Sequence, residues 1–149
     1  MKRFLAAALS VLLASGLLIP GTGAAQTPVR IRGSWNTHIR TGYIELYMSR
    51  IKNTAYYGSG SLRLDIYAAK RRYRGKSMSA YQLASMEIPP LEGRSSYVRI
   101  NQQLSLLTMP PAGRYYVILV LREIQEMGDE PAQWAIVDWS NSDRRGWIG

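Results

Sequence analysis

Apolar and polar side chains alternate with a period of two over most of the chain, the signature of half-buried β-strands rather than of helices. Val29 and Ile31 alternate with Arg30 and Arg32 within Thr27–Trp35, and the arginines suit an edge strand. Over Tyr43–Ile51, Ile44, Leu46 and Met48 share one face, and over Ser61–Tyr67 Leu62, Leu64 and Ile66 do the same against Arg63, Asp65 and Tyr67. A weaker strand is expected at Tyr81–Ile88, ended by Pro89 and Pro90, and a long strand or two short ones between Arg94 and Leu107. Gln133–Trp139 reads as the last strand, and Ser140–Gly149 as a polar tail. Asn36–Gly42 and Lys52–Gly60 read as turn regions, and no segment has a convincing helical period.

One stretch departs from strict alternation and organises the rest. Pro110, Pro111 and Gly113 precede the run Tyr115–Leu121, which is apolar on both faces: Tyr115, Val117, Leu119 and Leu121 on one, Tyr116, Ile118 and Val120 on the other. It is expected to be a central strand with a core on one side and a cover or partner on the other. Seven or eight short strands spaced by turn signals predict an all-β fold, a two-sheet β-sandwich.

The first residues carry a different signal. Lys2 and Arg3 precede an apolar run, Phe4–Ile19, of 16 residues, and Pro20–Ala25 follows with small side chains. This is the pattern of a secretory signal peptide over 1–25, cut after Ala24 or Ala25; the run is short of the roughly 20 residues that span a bilayer. A single domain over 26–149 remains, with no later transmembrane segment, and its expected place is periplasmic or secreted. Of 19 basic side chains Lys2 and Arg3 leave with the peptide, so 17 face 10 acidic ones, a net charge of +7. Such a balance bears on partners, not on fold. The chain has no cysteine, so disulfides, thiol nucleophiles and cysteine metal sites are ruled out, and stability must come from the core.

The charge concentrates in Lys70, Arg71, Arg72, Tyr73, Arg74 and Lys76, five cations and one aromatic within seven positions. These six are candidate ligand contacts for a polyanion, with Tyr73 placed to stack on a ring; a solvated hairpin tip is the plainer alternative. Tyr67, Tyr116, Ile118 and Val120 form a candidate partner surface, neighboured by Trp134 and Ile136 or by Val137 and Trp139 depending on register. The plainer alternative there is a cover from the segment around Trp147 or Trp35. Chemistry is hard to assemble. His38 is the only imidazole and falls in a turn region, Glu45, Asp65 and Asp138 read as readily as surface ion pairs as a carboxylate pair, and Glu123, Glu126, Asp129 and Glu130 lack calcium-loop spacing. No catalytic residue, metal or cofactor is assigned.

Tyr115 lies two residues past Gly113 at the start of the penultimate strand, which resembles the tyrosine corner of immunoglobulin-like domains and gives Tyr115 a structural role. Ser59–Ala68, Ala80–Ala84, Pro110–Leu121 and Val137–Trp139 are together similar to the small immunoglobulin-like modules of secreted bacterial proteins called CARDB. The likeness spans about Tyr43 to Trp139 and breaks at Lys70–Lys76, where a neutral loop is the family pattern. It implies an immunoglobulin-like sandwich in an extracytoplasmic protein and no enzyme. The functional expectation is an exported non-catalytic binding or adhesion module, with an anionic polysaccharide or glycolipid as ligand and nucleic acid disfavoured by export. The alternative is an envelope assembly component acting through a protein partner, homo-oligomerisation or edge-strand pairing.

Overall fold

A computed structural model describes residues 17–21 and 28–149. The start of the chain and the cleavage positions Ala24 and Ala25 lie outside the described residues. Among the described residues nine strands follow in order: β1 (Leu17–Ile19), β2 (Val29–Arg40), β3 (Tyr43–Asn53), β4 (Leu62–Ala69), β5 (Met78–Ile88), β6 (Ser96–Ser105), β7 (Gly113–Met127), β8 (Glu130–Asn141) and β9 (Gly146–Ile148). There is no helix among the described residues. The strands form two antiparallel sheets, one ordered β2-β3-β6 and one ordered β1-β5-β4-β7-β8 with β9 also on β7. They face each other as a sandwich of the immunoglobulin-like kind.

The inward faces are those the alternation predicts. Ile44, Leu46 and Met48 of β3 meet Leu62, Leu64 and Ile66 of β4 and Leu119 and Leu121 of β7 in one core, joined by Ile51, which an irregularity after Met48 brings to the same side out of the strict alternation. Tyr115 is buried beside them, and its hydroxyl donates to the Pro111 carbonyl at 2.6 Å, closing the loop before β7. β2 bridges the two layers. Ile31 N donates to Asp138 Oδ2 at 2.7 Å, Arg30 donates to the Val137 carbonyl at 2.9 Å, and Trp35 Nε1 donates to Ser140 Oγ at 2.7 Å. These bonds tie β2 to β8 and explain why Asp138 is on a strand.

Several elements run further than the sequence pattern suggests. β2 continues to Arg40 through a bulge at Gly33, whose φ of 76° and closeness to Ser49 suit glycine alone, so His38 sits exposed on a strand rather than in a turn. The hairpin to β3 closes through Thr41 and Gly42, the latter at φ 84°. The segment expected to be a polar tail becomes β9, pairing Gly146–Ile148 with Gly113–Tyr115 and burying Ile148.

The outer face of the larger sheet needs a correction. Tyr67, Ile118 and Val120, expected to be an open partner surface, are 3%, 0% and 0% exposed, and Tyr116 is half-buried. A second apolar cluster covers them, built with Ala69, Ala80 and Ile136, with Tyr73 from the β4–β5 loop and with Ile19 from β1. The cover is neither Trp147, which is 68% exposed, nor Trp35, which packs half-buried against the main core. A bulge between Leu121 and Arg122 puts Trp139 opposite Val120 and Ile136 opposite Arg122, so both reach this cluster.

Beyond the apolar patch the same face holds a charged one. Asp65 is fully buried and accepts from Arg122 Nε at 2.8 Å, Ser85 Oγ at 2.7 Å, Gln82 Nε2 at 3.3 Å and Arg63 Nε at 3.3 Å, while Arg122 also donates to the Tyr67 hydroxyl at 2.9 Å. Removing the acid leaves Arg122 buried without its counter-charge, which is the costly way to break such a pair.

Two stability measurements check this architecture. Leu119→Ala is expected to lower the unfolding free energy by about 2–5 kcal/mol in a denaturant titration, since it opens a cavity at the centre of the sandwich. Asp65→Ala is expected to cost about 3–5 kcal/mol, and a loss well under 1 kcal/mol for either variant contradicts the packing described.

Candidate functional site: a cationic cleft at one end of the larger sheet

The loop between β4 and β5, Lys70–Ser77, is held by its middle residue. Tyr73 is buried at 1% exposure, its backbone N–H donates to Asn141 Oδ1 at 2.7 Å, and Asn141 Nδ2 returns a bond to the Tyr73 carbonyl at 2.9 Å. Its ring meets Trp139 edge-on with centroids 5.3 Å apart, and its hydroxyl donates to the Pro20 carbonyl. Tyr73 is therefore a packing residue, and the ring-stacking role expected of it is not open to it in this arrangement. Drawing the tyrosine inward turns the flanking cations outward.

Those cations differ in what they do. Lys70 Nζ lies 3.7 Å from the centroid of the Tyr115 ring and donates to the Arg114 carbonyl at 3.3 Å. Arg72 sits over the Tyr116 ring at 5.2 Å and donates to the Asp143 carbonyl. Both are pinned by aromatic faces and backbone oxygens, which positions the loop without neutralising it. Arg71, Arg74 and Lys76 are exposed, and none of the five forms a salt bridge with a carboxylate among the described residues.

The structure adds a residue that the sequence reading missed. Arg145, brought back by the turn into β9, joins Lys70, Arg71, Arg72, Arg74 and Lys76 around an open cleft of about 730 Å³, with Ser77, Met78 and Tyr116 completing the wall. No acidic side chain lines it. Only the pairing of β9 with β7 carries Arg145 there, a long-range fact that local pattern does not show. Three acidic residues, Glu126, Asp129 and Glu130, are exposed at the β7–β8 hairpin at the opposite end of the sheet, whereas Asp143 lies in the turn before Arg145. The cationic end concentrates anions near it at low ionic strength.

The remaining candidates stay apart. Glu45 pairs with Arg40 at 3.5 Å, Asp65 is saturated by its donors, and Asp138 is bonded to Ile31, so the three carboxylates do not converge on one site. No group of three or more His, Asp or Glu placed to hold a metal ion occurs among the described residues. Among the described residues, no helix is long and apolar enough to cross a membrane. No family model matches the chain, and neither a curated protein nor a solved structure matches it.

Burial raises the phenol pKa of Tyr73 above the ordinary 10.0, and burial together with the neighbouring Asp65 carboxylate raises that of Tyr67. A folded pKa above the unfolded one stabilises the protein fully below about pH 10, and that contribution is lost as pH rises through the folded value. Stability is therefore expected to fall as the pH climbs above about 10, and the fall is expected to be shallower in Tyr73→Phe when both chains are unfolded by denaturant over that range. An identical alkaline slope in the two proteins would show that Tyr73 does not remain protonated by burial.

Proposed function

We propose that the chain is an exported, non-catalytic binding module that takes anionic ligands in the cationic cleft. The ligand class is a polysaccharide or glycolipid of the cell envelope bearing sulfate, phosphate or carboxylate groups. The observation that carries this reading is the convergence of six cations from two separate segments on one cleft with no acidic side chain in its wall. Cations from separate segments that gather without counter-charges repel one another. The aromatic and backbone contacts of Lys70 and Arg72 hold them in place against that repulsion.

Three further features support it. A patch of one sign on an exported chain of net charge +7 concentrates anions near it and acts at a range set by ionic strength. The immunoglobulin-like sandwich fits the proposed kinship with CARDB-type modules, and the basic loop is where the chain departs from their neutral pattern. The amino-terminal pattern of Lys2, Arg3 and an apolar run supports export, which puts envelope polymers rather than nucleic acid within reach.

Retention on a sulfated polysaccharide column tests the proposal. Changing Arg71, Arg74 and Lys76 to Ser leaves the pinned Lys70 and Arg72 in place, so the loop keeps its shape. A control triple, Arg32, Arg50 and Arg99 to Ser, removes the same charge from exposed positions on the smaller sheet. The loop variant is expected to elute at clearly lower salt than the control, with the dependence of log affinity on log salt reduced by about one unit per cation removed. Equal elution of the two triples would mean that net charge, not the cleft, governs binding.

A further inference from the structure

Ile19 is fully buried, yet it belongs to the apolar run that carries the export signal. β1 lies antiparallel on the edge of β5, with Leu17 opposite Ala80, Leu18 opposite Ser79 and Ile19 opposite Met78. Past Ile19 the segment runs on along the end of the β4–β5 loop that leads into β5, where a Cβ on Gly21 would approach the Gly75 carbonyl at 3.3 Å. The segment thus fills a slot with three kinds of contact: a strand ladder from β5, a pocket for one inward side chain, and the Tyr73 hydroxyl donating to the Pro20 carbonyl. Cutting after Ala24 or Ala25 removes all of it. Neither Leu18 nor Ile19 belongs to the main core, so the sandwich stands without them, but the slot is left with an open strand edge and an apolar floor of Tyr67, Ala69, Ala80 and Ile118.

We propose that in the exported chain this slot is a strand-acceptor site for an extended segment of another protein, apolar at the position of Ile19 and flanked by Asp or Glu. The occupant now seated there is the template for the first half of that description. Two of its contacts, the ladder and the Tyr73 bond, are to main chain and read no sequence, whereas the buried position selects an aliphatic side chain. Charge supplies the second half. Lys70 and Arg71 line the groove beside β5, and the other cations of the loop stand at its end, so acidic flanks are attracted and basic ones repelled.

The same charge argues against a second copy of this chain as the occupant. Two copies joined through their β5 edges would bring the basic loop of each to one seam, like charge against like. The acceptor reading rests on removal of the leader, a point that is measured separately from binding.

The full-length chain is to be produced with its own start in a secreting host, the exported protein collected and its first residue identified by mass spectrometry. The probe is the peptide Asp-Asp-Leu-Leu-Ile-Pro-Gly-Asp-Asp, which copies residues 17–21 between acidic flanks, titrated by calorimetry. The expected result is a first residue beyond Gly21 and saturable binding of one peptide per chain. Replacing the peptide's Ile by Asp is expected to weaken binding about tenfold or more. Replacing the acidic flanks by Lys is expected to weaken it at low salt, with the gap closing as salt is added. The Ile to Asp change makes the peptide more anionic, so a peptide attracted only by the cationic cleft binds equally well or better after it, and that result overturns the slot while sparing the cleft. An exported chain that still begins at or before Leu17, no saturable binding, or self-association that excludes the peptide overturns the proposal as well.

Discussion

The constraint on which the rest depends is that β7 is apolar on both faces. In an antiparallel sandwich one face of a sheet usually meets water, and alternation then gives polar side chains outward. Ile118 and Val120 break that rule, and with Tyr67 on the adjacent β4 they present an outer surface that must be covered. The main core satisfies the Leu119 and Leu121 side. The other side obliges the chain to find a second layer from outside the two sheets, and the β4–β5 loop and β1 supply it.

That obligation shapes the charged surface. Tyr73 can cover the outer face only if the loop folds back over it, and folding back fans Arg71, Arg72, Arg74 and Lys76 around a cleft rather than along a flexible tip. The hydrophobic demand of β7 and the electrostatics of the cleft are thus one structural event. Asp65 and Arg122 continue the same outer face where the apolar patch ends. There the sheet buries charge instead of aliphatic surface, with every oxygen of the carboxylate used and the guanidinium shared with Tyr67. A carboxylate so fully engaged serves as a structural anchor and has no lone pair directed at a substrate.

What was legible in the sequence was local and periodic. The inward faces of β3, β4 and β7 follow from a period of two, and the place of Tyr115 follows from Gly113 and the prolines before it, because those signals act within a few residues. What was not legible depended on distant pairing. The bulge at Leu121 and Arg122 brings Trp139 and Ile136 to one face, where alternation alone offers either Ile136 or Trp139. Gly33 carries β2 past an apparent turn, and Ser142, bonded to Val117 through both backbone and side chain, guides the chain from β8 into β9. Without β9, Arg145 has no reason to stand beside Lys76. The six basic-loop residues were visible as a cluster, but that Tyr73 turns inward while its neighbours turn outward required knowing what lay beneath.

A segment with the composition of an export signal makes two demands of the same residues. As a leader it must be apolar and carry small residues near its end; as β1 it must alternate, with Ile19 inward and Leu18 at 64% exposure. Three residues of alternation are compatible with any apolar run, so serving as β1 imposes almost nothing on the leader. The slot, by contrast, has definite partners: β5 pairs with β1 over Met78–Ala80, and further along the Leu83 carbonyl is engaged by Leu107 N at 2.8 Å. Native sheets blunt their edges in this way to prevent indiscriminate pairing. Along β5 the edge is thus covered by β1 near the basic loop and by the Leu107 contact further on, so the same strand borders the charged cleft at one end and the loop before β7 at the other.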